Sequence, residues 1–164
     1  MNKINKRGGF TLIEILVVIG IIAVLAAVVL IAINPARQFA QARDSQRTSN
    51  VNAILNAIGQ RIADNRGTFG GTFAGLACPA LPVPGLADVT LSILTDTSAA
   101  DADSVGLGCL APTYMSAIPT DPTAFATPDT GYDLRIETIA EGGRLTLIAP
   151  ANEVDTTTDI SVTR

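Results

Sequence analysis

One carboxylate stands near the start of a long apolar run. In KRGGFTLIEILVVIGIIAVLAAVVLIAIN, residues 6–34, Glu14 is the only acid. An unpaired carboxylate is costly in hydrocarbon, so an acid embedded there is expected to have a partner and a task. The plainer reading also stands: one turn into a helix, at a headgroup boundary, Glu14 would favour the positive end of the helix dipole. The two glycines before it, Gly8 and Gly9, read on their own as a loop before an apolar run. The other residues with latent chemistry are Cys78 and Cys109, the chain's two cysteines, which form a disulfide in an oxidising compartment and remain buried thiols in a reducing one. No histidine is present, which removes the commonest general base and metal ligand. Ser-His-Asp, Walker, HExxH and CxxC patterns are also missing, so nothing in the sequence supports catalysis or a cofactor.

These residues need elements to hold them. Between Ile15 and Ala36 no residue is charged, a run that as helix crosses a hydrocarbon core of roughly 30 Å. Lys3, Lys6 and Arg7 precede it, so the positive-inside tendency leaves the N-terminus in the cytoplasm and the C-terminus outside. A cleavable secretory signal is the rival. Its apolar core usually runs about 7–15 residues and ends at a small-x-small site, and this run is longer and has no clear site. Asn34-Pro35 should kink or break the helix. Beyond it Val51, Ile54, Leu55, Ile58 and Ile62 form one apolar stripe, with Arg and Asn expected opposite, up to a stop at Gly67. Residues 11–66 would then form a helix of roughly 80 Å.

Past Gly67 the signals change. Residues 67–85 read as loop, Val89–Leu94 as a short strand, and 96–106 as an exposed acidic loop. Tyr132, Leu134 and Ile136 alternate with polar residues, Gly142-Gly143 turns, and Leu145, Leu147 and Ala149 follow, with a last strand at Ile160–Thr163. The fold class is α+β: a long N-terminal helix whose stripe covers a small antiparallel sheet. Charge divides the same way. Residues 34–66 carry five Arg against two acids, and residues 67–164 three Arg against twelve acids, a basic stem with an acidic head. That head argues against DNA wrapping, although the stem arginines could line a groove.

Arg-Gly-Gly, then Phe-Thr-Leu-Ile-Glu, then an uninterrupted apolar helix closely resembles the class III leader and N-terminal helix of type IV pilins and of type II secretion pseudopilins. The likeness covers about the first 35 residues. It implies that a prepilin peptidase reads a leader including Lys6, Arg7 and Gly8, cuts between Gly9 and Phe10, and methylates the new Phe10 amine. It also implies that Glu14 meets the amine of a neighbouring Phe10 during assembly, and that helicity can be lost between Gly20 and Pro35 in a filament. Further partners implied are an assembly platform membrane protein, its ATPase, other pilins, and lipid before assembly. Every lysine precedes Gly9, so the processed chain has no side-chain amine for isopeptide crosslinking or Ser-Lys chemistry.

The resemblance sets boundaries of 1–9 for the leader, 10–36 for the membrane helix, 37–66 for its amphipathic continuation and 67–164 for an extracytoplasmic head. A head outside the cytoplasm makes the Cys78–Cys109 disulfide the natural reading. PTYMSAIPTDP, with Tyr132 downstream, resembles a segment of major pseudopilins, some of which bind calcium near the sheet. Asp121, Asp129 and Asp133 offer oxygens, but no EF-hand spacing is present and solvated turn acids are the preferred reading, with no metal assigned. A surface pilus subunit is expected, with a secretion pseudopilin as the alternative and a single-pass anchored binding domain as the rival outside the family.

Overall fold

The computed structural model describes residues 9–73, 75–97, 103–123 and 127–164. The chain divides into two compact units, Met1–Phe39 and Ala40–Arg164.

The first unit is dominated by helix α1, Leu12–Ala32, whose 21 residues include none that is buried. At 1.5 Å per residue it is about 32 Å long, and it is apolar on every face, so it needs lipid or other helices around it. It is the single helix among the described residues long and apolar enough to cross a membrane. Residues 33 and 34 interrupt the helix, and Pro35 opens helix α2, Pro35–Asp64. The break has a local cause. Proline is tolerated in the first turn, where its missing N–H has no helical partner, and Asn34 Oδ1 accepts the Arg37 N–H at 3.3 Å. The expected helix over 11–66 is therefore two helices. Helix α1 runs through Gly20 without interruption.

The second unit holds the remainder of α2 and two sheets. Strands β1 (Gly71–Phe73) and β2 (Leu76–Cys78) form an antiparallel hairpin through Gly75, at φ 82°. Strands β3 (Val89–Leu94), β4 (Ser104–Gly106), β5 (Asp129–Ile136), β6 (Leu145–Ala149) and β7 (Ile160–Thr163) form a five-stranded sheet in the order β4-β3-β5-β6-β7. Val51, Ile54, Leu55 and Ile58 of α2 share one core with Leu91 and Ile93 of β3, Tyr132, Leu134 and Ile136 of β5, and Leu147 and Ala149 of β6.

Three expectations need correction. Residues 67–85 are not all loop, because 71–73 pair with 76–78 as a hairpin. Residues 104–106 are not exposed loop, because they pair parallel with β3 and bury Val105, so the sheet is mixed. Both elements are too short to show periodicity and are fixed by tertiary burial. The third concerns α2, where Arg47, Asn50 and Arg61 are buried instead of lying opposite the stripe.

Cys78, at the end of β2, is joined to Cys109, in the 3-10 turn Gly108–Leu110, with Cα atoms 5.4 Å apart. Gly108 lets this turn lie close to the backbone after β3, since a Cβ there would lie 2.6 Å from the Asp96 backbone. Closing a loop of 31 residues removes about 3–4 kcal/mol of unfolded-state freedom in the chain-entropy model. A Cys78→Ala/Cys109→Ala chain in detergent should thus unfold roughly 10–20 °C lower by circular dichroism. An unchanged midpoint would show that this small core stands without its staple.

Candidate functional site

The first functional turn is built by its own sequence. Thr11 caps α1, with its Oγ1 accepting the Glu14 N–H at 3.3 Å, and Glu14 Oε2 accepts both the Thr11 N–H and the Thr11 hydroxyl at 2.8 Å. This is a capping box, which satisfies two of the orphan donors of a helix start and turns the carboxylate back toward Phe10. Phe10 is 83% exposed. Gly9 has no described heavy atom within 4 Å of where a Cβ would stand. The fold therefore gives no steric reason for glycine at the residue before Phe10. Gly20 is equally uncrowded and costs helix stability relative to alanine, so no packing within the chain accounts for it either. Lys6, Arg7 and Gly8 lie outside the described residues.

The second cluster lies in the head, and the sequence reading did not find it. Arg47 on α2 is fully buried, and its Nε and Nη2 donate to Asp121 Oδ2 and Oδ1 at 2.6 and 3.0 Å. Its Nη1 donates to Asp44 at 2.7 Å, and its Nη2 lies 3.0 Å from Glu153 Oε1. Glu153 also forms a two-pronged pair with Arg43, while Asp44 accepts the backbone N–H groups of Glu153 and Val154 at 2.9–3.2 Å. One turn of helix thus holds two distant segments, 121–123 and 153–154. Next to it, the Asn50 side chain donates to the hydroxyl of buried Tyr132 at 2.8 Å. At the other end of α2, Arg61 donates to the carbonyls of Phe69, Gly71, Phe73 and Leu76 at 2.8–3.4 Å and stacks over the Phe73 ring.

This arrangement corrects the reading of the aspartates. Asp121 is 2% exposed and is taken by an arginine, so it is no solvated turn acid. Asp129 accepts the Gly131 N–H at 2.9 Å and Asp133 the Ser92 hydroxyl at 3.3 Å. No group of three or more ligating residues is placed to hold a metal among the described residues. The stem arginines also cannot line a groove as a set, since Arg47 and Arg61 lie in the core.

Residues 4–30 match the prokaryotic N-terminal methylation motif. Neither the curated proteins nor the solved structures give a match to the chain. The motif supports a class III leader of the type IV pilin and pseudopilin kind, processing by prepilin peptidase, and a structural subunit role. With α1 it also supports membrane anchoring.

The head cluster makes acid stability predictable. The Arg43 hydrogen bonds, and after them Arg47, hold Glu153 at about 2 against an ordinary value of 4.5. Burial pushes Asp121 up, but bonds from Arg47 and Thr123 outweigh it and leave it lowered. Depressed native values mean that the unfolded chain binds protons first, so this stability is complete above about pH 4.5 and is lost as pH falls toward 2. Glu153→Gln should flatten that acid limb in urea titrations. Arg47→Met should cost about 3–5 kcal/mol at neutral pH, because Asp121 is left buried and unpaired, while Arg47→Met/Asp121→Asn should recover much of the loss. Equal destabilisation in both variants would show that the pair itself is not the source.

Proposed function

We propose that the chain is a prepilin, the membrane-anchored precursor of a type IV pilus filament subunit. The observation that carries the reading is the turn Gly9–Glu14 at the head of α1: an uncrowded glycine, an exposed Phe10, and a carboxylate aimed back along the chain, followed by a helix with no buried residue. The leader, including Lys6, Arg7 and Gly8, is read by prepilin peptidase on the cytoplasmic side. The cut falls between Gly9 and Phe10, and the new amine is methylated. The uncrowded Gly9 fits a backbone read by an enzyme cleft, since the fold itself has no use for it.

Before assembly α1 spans the cytoplasmic membrane with the head outside. An assembly platform protein and its ATPase then move the subunit into a helical polymer whose core is made of copies of α1. Glu14 receives the Phe10 amine of the adjacent subunit. Its capping box leaves Oε1 with no partner among the described residues, so one oxygen is available without dismantling the turn. Gly20, with open space around it, suits close approach of a neighbouring helix, as small residues do between helices in lipid. The loss of helicity between Gly20 and Pro35 belongs to the assembled state. A pseudopilin of a secretion system is the second reading, favoured by the Pro119–Pro122 segment, whose Asp121 is built into the head through Arg47.

Two measurements test this. Intact mass of the exported chain should begin at N-methylated Phe10, and a mass that retains Met1 sinks the reading. Glu14→Gln should leave cleavage intact while sheared filaments vanish from electron micrographs. Normal filaments in that variant would remove the pairing role.

A further inference from the structure

We infer that the head carries a docking groove for the stem of a second copy of this chain, and that the occupant is the turn of α2 that bears Phe39. The inference rests on the polymer reading above. The groove, of about 560 Å³, lies at the C-terminal end of α2 and is lined by Ile62, Phe69, Leu81, Val83, Ile136 and Leu145 among others. Its surroundings do not look like finished surface. Val83, Leu86 and Ile139 are 83, 100 and 66% exposed, and the Ile139 N–H donates to the Gly85 carbonyl at 3.1 Å, which places these two loops side by side. Apolar surface grouped around a concavity marks an interaction site more often than scattered exposed residues do.

Phe39 supplies an exposed apolar side chain. It is 65% exposed in the single chain and lies a full turn beyond the break that ends α1, past the length that lipid would cover. A benzyl side chain fits within the groove volume, with the small residues Ala36 and Ala40 allowing the helix to come close.

Charge points the same way. The unit Ala40–Arg164 carries seven Arg against fourteen acids, a side-chain charge of −7. Asp64 lies two residues after Ile62 and Glu141 two before Gly143, both of which line the groove, and both acids are exposed. Arg37, two residues before Phe39, is the only charged residue from Ile15 to Ala42 and has no ion pair among the described residues. It stands in the first turn of α2, which holds no acid, and a cation is disfavoured at that end of a helix unless an external anion meets it. A carboxylate from the acidic head of another copy would meet that need. The two surfaces differ, so the contact is heterologous, and a heterologous contact whose rotation does not close propagates as a filament.

A cysteine pair tests it in the full-length chain. With Phe39→Cys and Val83→Cys combined, filaments sheared from cells should show a ladder of covalent dimers and higher species on non-reducing gels. Each single variant should show none, because a disulfide forms only where Cβ atoms approach to roughly 3.5–4.5 Å. Phe39→Ala should lower filament yield at least about tenfold with the amount of processed subunit unchanged. Filaments of the double variant without a ladder, or with only an intramolecular bridge, overturn the docking and leave the polymer reading standing. No filaments from the unaltered chain would bring down both.

Discussion

The buried guanidinium of Arg47 is the interaction on which the head depends. A fully buried cation requires carboxylates placed to match its fork, and Asp121 provides a two-pronged partner from more than seventy residues away in sequence. Asp44 and Glu153 complete the set, so one turn of α2 registers the segment before β5 and the segment after β6 at once. Such a cluster stabilises less than an apolar one of the same volume, but it tolerates no sliding, because any shift strands a charge. The apolar stripe of α2 could meet the sheet in several registers. Arg47 at one end and Arg61, bound to four carbonyls of the hairpin region, at the other leave one.

Specification by charge suits a chain whose two units differ in kind, one an apolar helix with no buried residue and the other a folded head. Helix α1 has no buried residue and is predominantly apolar, so it calls for lipid or other helices around it. The head is folded by its own core, its disulfide and its ion cluster. Glu14 belongs to the first unit and is managed there without the head: the capping box gives its carboxylate two donors at 2.8 Å from the chain's own first turn. The acid is thus tolerable in a lone subunit and still has an oxygen to offer a positive amine. On the proposed reading, that division would let one helix serve as an anchor and as a polymer core with no change in the head.

Much of this was legible in the sequence. The apolar length of α1, the break at Asn34-Pro35, the alternation of β5 and β6 and the stripe Val51–Ile54–Leu55–Ile58 were all readable, because each repeats a period or uses a residue with one steric meaning. The hairpin β1–β2 and strand β4 were not, since three residues carry no period and long-range burial decides them. The ion cluster was missed for a different reason. Arg47 precedes Val51 by one turn and Arg61 follows Ile58 by three residues, so both lie in phase with the apolar stripe and not opposite it. Phase was the available signal, and charge was allowed to override it. The carboxylate partners of Arg47 stayed hidden because Asp121 and Glu153 sit in irregular segments that only the fold brings to α2.

Burying arginines also changes the outside of the molecule. Arg47 and Arg61 lie in the core, which leaves the outer surface of a unit with a side-chain charge of −7 depleted of cations. Copies of such a head repel one another, although screening confines the effect to about 8 Å at physiological ionic strength. Any polymer of this chain must therefore gain its free energy elsewhere, from the apolar helices and from the few apolar surfaces the heads still expose. Repulsion between heads then acts in favour of order. In such a polymer, contact between heads alone would be disfavoured by that repulsion, and burial of the apolar helices would have to accompany it.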